Sequence, residues 1–236
     1  ELEGFKAKPH EGAPVRTTIN ENGVRFEVDI TGGHKTGFFL DQRENRRALA
    51  EHAGGKRVLD LCCYTGGFSL YAKVLGHAKE FIGIDLDEKA IAQAWRNAHL
   101  NGLAGPQAGV RFQHANAFHF LKEERDPRDL WDIVVLDPAK LAPTREGLDA
   151  ALRDYYDLNR WALRNLRPGG LFLTCSCSGL VSLETFLGVV ANAGADAGRE
   201  VRVLSTTGPG ADHPLMADFP EGLYLKVVLA QALARE

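Results

Sequence analysis

The chain has no apolar run long enough to cross a bilayer, and no basic-then-apolar leader opens it. Neither a spanning helix nor a secretory signal is therefore expected. It also lacks an excess of either charge. Lys and Arg number 28 against 31 Asp and Glu, a formal net charge of −3. The chain as a whole is not a polycation, so nucleic-acid binding must come from a local basic patch or a separate domain. Cysteine is scarce: Cys62, Cys63, Cys175 and Cys177 form two close pairs. A disulfide framework does not suit a chain of this size without a secretory signal. The spacings C-C and C-x-C are not the C-x₂-C of zinc ribbons, so no metal is expected. Reduced thiols and a cytoplasmic location follow as expectations. No internal repeat and no low-complexity block occurs.

What is present fits a globular α/β protein. The 236 residues are 44% hydrophobic and 25% charged, enough for one α/β domain with a sizeable core and a small appendage. Residues 1–14 are polar, rich in Gly and Pro and aperiodic, and read as a linker remnant. The first residue is Glu1 rather than Met, and a trimmed N-terminus is the expectation. Residues 15–30 alternate apolar and polar around Asn22-Gly23, which predicts a β-hairpin. Gly32 to Leu40 reads as a turn and a short strand. Asp41 is placed to cap a helix from Gln42 to about Ala53, which Gly54-Gly55 stops. The organisation expected is a linker and hairpin region over 1–40 and the main domain over 41–236.

Strands and helices then alternate. Strands are predicted near 57–62, 80–85, 110–114, 132–137, 170–176, 201–205 and 222–229. Helices are predicted near 67–77, 87–101, 116–125, 145–166 and 181–197. Asp87 opens one helix, and Arg167-Pro168-Gly169-Gly170 punctuates the end of another. The strands near 58, 81, 133 and 171 are continuous apolar runs, as in a parallel sheet covered by helices on both faces. The result is a doubly wound, Rossmann-like sheet of seven mostly parallel strands, preceded by the hairpin. Ligands of such sheets bind beyond the carboxyl ends of the strands. Those ends hold Cys62, Cys63, Asp85, Asp137, Cys175 and Cys177.

The run Val58-Leu59-Asp60-Leu61-Cys62-Cys63-Tyr64-Thr65-Gly66-Gly67-Phe68 is a strand, a tight turn and a helix start. A second strand ends at Asp85. This is the layout of a nucleotide cofactor site, with backbone N–H groups near the ligand and a carboxylate for ribose hydroxyls. The nicotinamide fingerprint G-x-G-x-x-G is absent, which disfavours a reductase. The methyltransferase pattern D-x-G-x-G-x-G is met only at Asp60 and Gly66, with Cys62 and Tyr64 replacing two glycines.

Six strings in order carry a family resemblance: His34-Lys35-Thr36-Gly37-Phe38-Phe39-Leu40-Asp41-Gln42-Arg43, Tyr64-Thr65-Gly66-Gly67-Phe68, Asp137-Pro138-Ala139-Lys140, Ser176-Cys177-Ser178-Gly179, Asp212-His213-Pro214, and Pro220-Glu221-Gly222-Leu223-Tyr224-Leu225-Lys226. Over about 15–230 the chain resembles the class I methyltransferase part of the bacterial large-subunit (23S) ribosomal RNA cytosine-C5 methyltransferase family. The resemblance implies S-adenosyl-L-methionine as cofactor and ribosomal RNA as partner. It implies that Asp85 holds the ribose, that the loop with Asp60, Tyr64, Thr65, Gly66 and Gly67 holds the methionine end, and that Gln42 and Arg43 lie beside the cofactor. Asn116 stands where an acidic residue commonly takes the adenine amino group, and its carbonyl oxygen is expected to accept that bond.

Cytosine carbon 5 is too weak a nucleophile to take a methyl group unaided. A thiolate added at carbon 6 makes it one. Cys177, in the Ser-Cys-Ser string, is the expected nucleophile, against the competing reading of a small core residue. Cys175, Cys62 and Cys63 are expected to be packing. Asp137 is expected to contact the base edge and the cofactor, and Lys140 and His213 to border the RNA. The resemblance also brings two departures: Ala139 replaces a proline of the family's Asp-Pro-Pro-Lys, and Asn116 replaces the acid. Family members commonly carry an N-terminal RNA-binding domain of the pseudouridine-synthase/archaeosine-transglycosylase type, which these residues do not include. The expectation is that it was cut away or that this member lacks it. The rival functions are an rRNA guanine methyltransferase that needs no thiol and a non-catalytic module binding RNA or ribosome precursors. The oligomeric state is left open, a homodimer included.

Overall fold

The computed structural model describes residues 15–30, 37–105, 108–123, 130–219 and 222–235. Strands β1 (Arg16–Glu21) and β2 (Val24–Asp29) pair antiparallel about Asn22 and Gly23. Both turn residues have positive φ, 53° and 90°, the twist that a two-residue hairpin needs. Val24, Phe26 and Val28 face inward. The ring of Phe26 lies 4.7 Å from that of Phe38 and 6.3 Å from that of Tyr71.

The next expectation holds only in part. Residues 32–36 of the expected turn and strand lie outside the described residues. Gly37 to Phe39 is a bend, not a strand. Gly37 has φ of 80°, and a Cβ there would sit 2.1 Å from the Asp29 carbonyl oxygen, so the chain turns under β2. Leu40–Gln42 is a 3₁₀ turn leading into α1 (Arg43–Ala50). The N-cap of α1 is Gln42, without a side-chain cap bond. Asp41 does not cap the helix, because its Oδ2 accepts the Tyr224 hydroxyl at 2.5 Å.

The main sheet has seven strands: β3 (Arg57–Leu61), β4 (Glu80–Asp85), β5 (Val110–His114), β6 (Trp131–Leu136), β7 (Leu166–Ser176), β8 (Arg199–Thr207) and β9 (Lys226–Ala234). Their spatial order is β5-β4-β3-β6-β7-β9-β8. The first five run parallel, and β9 lies antiparallel between β7 and β8. Five further helices follow: α2 (Gly67–Val74), α3 (Glu88–Leu100), α4 (Ala117–Lys122), α5 (Leu148–Arg164) and α6 (Leu183–Asp196). Every residue of β6 is buried, because a core lies on each face of the sheet. One core joins the hairpin to α1, α2 and α3. The other joins α4, α5 and α6 through Trp131, Tyr155 and Phe186.

Two expected boundaries move. Helix α5 ends at Arg164, and Arg167 to Gly170 already belongs to β7, where pairing with β6 slips between Trp131 and Ile133. Strand β9 begins at Lys226 rather than at 222. Its partner β7 ends at Ser176, directly opposite Lys226, so earlier residues have no ladder to join. Asp87 caps α3 as expected, accepting from the N–H groups of Lys89 and Ala90 at 2.8 and 3.2 Å.

The hairpin is docked by side chains rather than by a strand. The N–H of Glu27 donates to Asn97 on α3 and that of Arg25 to Asn101, the C-cap of α3, at 2.8 and 2.9 Å. Buried Arg46 on α1 donates to Glu21 at 2.6 Å and to the Phe39 carbonyl at 2.9 Å.

Candidate active site

The β3–α2 loop is built on left-handed backbone. Cys62, Tyr64 and Gly66 have φ of 61°, 48° and 85°. Cys62 and Tyr64 are the two positions where the general pattern carries glycine, and the backbone shows the conformation that glycine would adopt at no steric cost. Gly66 has no such freedom to change. A Cβ there would lie 2.7 Å from the Phe112 ring. The turn is tied by the Gly66 N–H to the Cys63 carbonyl at 2.8 Å and by the Cys63 N–H to the Ile84 carbonyl at 2.9 Å. The Thr65 carbonyl accepts from Asn97 at 3.1 Å.

Asp85, at the end of β4, accepts the Tyr64 N–H at 2.7 Å and the Asp87 N–H at 2.8 Å. Its carboxylate is thereby held in place, with lone pairs left for a ribose. Asp60 lies beneath the loop, fully buried. Its Oδ2 accepts the N–H and hydroxyl of Ser69 at 2.9 and 2.6 Å, while Oδ1 has no hydrogen-bond partner. Burial raises its pKa to about 7, against the lowering effect of Ser69. Asp60 therefore ties β3 to α2 and sits behind the cavity wall.

Asp137 follows β6, and its N–H donates to the Leu61 carbonyl at 3.3 Å. Its Oδ2 accepts Gln42 Nε2 at 2.9 Å. Desolvation lifts its pKa to about 6, and the Gln42 bond partly offsets the rise. Cys177, just past β7, has its Sγ 3.8 Å from the Pro138 carbonyl oxygen. Cys175 is fully buried and lies 3.6 Å from Gln42 Nε2. Burial pushes the thiols of Cys62, Cys63 and Cys175 upward, which leaves them neutral near pH 7.

One cavity of about 710 Å³ unites these ends. Gln42, Tyr64, Thr65, Gly67, Asp85, Asn116, Asp137, Lys140 and Cys177, all named from the sequence, line it. Four others do not. Asp60 and Gly66 lie behind it. Arg43 and His213 form a separate surface cluster about Asp212, at 2.9 and 3.2 Å. Gln42 and Arg43 are adjacent on a helical turn, so their side chains diverge and only one can face the cavity.

Asn116 reaches the cavity in an unexpected way. Its Oδ1 accepts the N–H groups of Phe118 and His119 at 2.9 and 3.2 Å, capping α4. With the oxygen so engaged, the amide NH₂ is the group it presents, matching a ring nitrogen of adenine rather than its amino group. The sequence reading passed over Arg46, Asp41 and the aromatic wall. Phe39 meets Tyr64 edge-on at 5.1 Å, and Phe38, Phe118 and Leu225 complete that wall. The signal was there, since Phe38, Phe39 and Asp41 belong to the first of the six strings.

A nucleoside bearing a methionine tail fits these residues. Asp85 could offer acceptors to a ribose, Leu86, Ala117 and Phe118 could form an apolar slot for the ring, and Gly67 leaves floor space where a Cβ would press on Arg46 at 3.1 Å.

Comparison with known proteins agrees. The family model described as S-adenosylmethionine-dependent methyltransferase matches residues 7–201. The ribosomal RNA large subunit methyltransferase I of Photobacterium profundum is 45% identical over 216 residues, covering 92% of this chain and 54% of the relative. The protein of the same description from Aeromonas salmonicida is 43% identical over 234 residues, covering 98% and 58%. This chain thus spans a little over half the length of the curated relatives it matches. Among solved structures, SMU.776, a putative methyltransferase complexed with SAH, superposes with a TM-score of 0.82 at 27% identity, over 98% of this chain and 58% of that one. A putative SAM-dependent methyltransferase from Streptococcus mutans gives 0.81 at 25%, over 98% and 57%. A seven-stranded Rossmann-like sheet, a glycine loop facing a strand-end carboxylate and a family match across most of its length place this chain in the S-adenosylmethionine-dependent methyltransferase family.

Proposed function

We propose that this chain is the catalytic part of an enzyme that methylates carbon 5 of a cytosine in large-subunit ribosomal RNA, with Cys177 as nucleophile. The observation that carries the reading is the meeting of Cys177 and Asp137, from adjacent strands, in the cavity that Asp85 and the β3–α2 loop also line. The description of the curated relatives supports the substrate class. Acting on ribosomal RNA would place the enzyme in the cytoplasm.

The residues divide the work. The Cys177 sulfur forms a bond to carbon 6, and the electron pair of the ring double bond becomes available at carbon 5. Asp137, partly protonated near neutral pH at a pKa of about 6, offers a hydrogen bond to the N3 edge as negative charge develops there. Gln42 holds that carboxyl in position. Bound S-adenosylmethionine supplies an electrophilic methyl carbon. Loss of the carbon-5 proton to a base and breaking of the sulfur–carbon bond then restore the ring and return the electron pair to Cys177. Phe39, Tyr64, Phe118 and Leu225, which line the cavity, keep water from the reacting atoms. The target base must leave its stack to reach the thiol, and exposed Lys140 stands at the rim to meet its phosphate.

The test is nucleoside mass spectrometry of unmodified ribosomal RNA incubated with S-adenosylmethionine and the wild type or Cys177→Ala. The expected result is 5-methylcytidine with the wild type alone. A methylated guanosine, or product surviving the substitution, would discard the nucleophile. Calorimetry with S-adenosylmethionine separates a non-catalytic module, which would give no heat.

A further inference from the structure

Lys226 opens β9 opposite Ser176, the last residue of β7, and is only 6% exposed. A lysine is rarely buried without a partner of opposite charge. Yet among the described residues no carboxylate forms an ion pair with it. Its ammonium donates to two main-chain carbonyls, Ser178 at 2.6 Å and Tyr224 at 2.9 Å. Cys177 lies in the chain between the residue opposite Lys226 and the residue whose carbonyl it binds. An ammonium group has three protons, and these two bonds use two.

The neighbours narrow the role. From α5, Tyr155 bonds to the hydroxyls of Ser176 and Ser178 at 3.0 Å each. From the segment before β9, Tyr224 donates to Asp41. Burial drives both phenols upward, and for Tyr224 the hydrogen bond to Asp41 adds to the rise. Neither phenol therefore ionises near neutral pH. Asp137 and Cys175 complete the ring of titratable groups at this strand end. Burial pulls the Lys226 ammonium down to about 8, and its bond to the Ser178 carbonyl seats it one residue from Cys177.

We infer that Lys226 is the positioning residue that keeps Cys177 as a thiolate, through an ammonium–thiolate pair across the ends of β7 and β9. The inference rests on Cys177 being the nucleophile proposed above. The S–H bond of Cys177 breaks and its proton passes to solvent, and the third proton of the Lys226 ammonium, which the two carbonyls leave unused, holds the thiolate that remains. The sulfur then adds to carbon 6. When that bond breaks, the electron pair returns to sulfur and the ion pair is restored. A purely structural Lys226 would only pin the Ser178 carbonyl and leave the thiol's ionisation untouched.

The experiment reads the pH dependence of Cys177 alkylation by iodoacetamide, by peptide mass spectrometry on the full chain without RNA. Lys226→Met should move the midpoint up by about one pH unit, and Lys226→Arg should restore it. An unchanged midpoint in Lys226→Met, with S-adenosylmethionine still bound in calorimetry, overturns the inference. If Lys226→Met does not fold, NMR titration of isotope-labelled lysine compares the wild type with Cys177→Ser. Removing the thiolate should lower the Lys226 midpoint, and no change overturns the pairing. Methylation that survives Cys177→Ala while the two groups remain coupled would sink the nucleophile and not the pair, so the two failures are distinguishable.

Discussion

Gln42 donates to Asp137 at 2.9 Å across 95 positions of chain, and a third residue sets the direction of that bond. Asn45 donates its amide to Gln42 Oε1 at 2.7 Å and to the Gly208 carbonyl at 3.0 Å, while its own Oδ1 accepts Thr207 at 2.7 Å. The Gln42 amide can therefore present only its NH₂ to the carboxylate. The 3₁₀ turn, β6 and the end of β8 are joined by side chains that all lie outside the glycine loop.

Gln42→Glu keeps the shape and reverses the chemistry. A second carboxylate against Asp137 disfavours its ionised form. The alkaline limb that Asp137 sets in the pH–rate profile for methyl transfer should move up by about one unit or more, with only a modest change in cofactor affinity. An unmoved limb would show that Asp137 does not set it.

Asp137 also links pH to stability. Its folded pKa of about 6 lies above the usual carboxylate value, so the native state holds the proton more tightly than the unfolded chain. Its contribution is neutral below about pH 4 and destabilising as pH rises through 6. Asp137→Asn removes that cost. We expect a gain of about 1–2 kcal/mol in urea unfolding at pH 8, discounted for the cavity-facing side of the carboxyl, that vanishes toward pH 4. Methyl transfer by the variant should fall sharply.

Arg46 and Glu21 form a buried pair at 2.6 Å, with the guanidinium 4.7 Å from the Phe38 ring and 5.6 Å from the Tyr71 ring. Arg46→Ala strands the Glu21 carboxylate and should cost about 3–5 kcal/mol. Arg46→Met combined with Glu21→Gln should cost much less, because no charge is left unpaired. Chemical denaturation of both variants checks the difference.

At Cys62 the left-handed backbone decides tolerance. Cys62→Gly exchanges a steric cost of about 1–2 kcal/mol for a similar entropic one, so thermal stability should barely change. Cys62→Val places a β-branched residue at φ of 61° and should lower stability by about 2 kcal/mol. Equal melting temperatures for the two would contradict the strain.

The sequence alone determined the alternating architecture, because apolar runs ending in Asp85, Asp137 and Ser176 are local patterns that only a covered parallel sheet accommodates. It also identified nine residues of the cavity wall, since ligands of such sheets lie where the strands end. It could not separate Gln42 from Arg43, which differ by one step around a helical turn. Nor could it see that the Asn116 oxygen is spent on a helix cap, or that Asp60 faces Ser69 rather than the cavity.

Tertiary structure decided what depends on long-range partners. The start of β9 is set by the end of β7, the Asp137 environment by Gln42, and the Tyr224 hydroxyl by Asp41, 183 residues away. Lys226 reads in sequence as the last letter of a string. Only the antiparallel register lays it against the residues that flank Cys177, because hydrogen-bonded pairing and burial, unlike periodicity, are properties of two distant segments brought together.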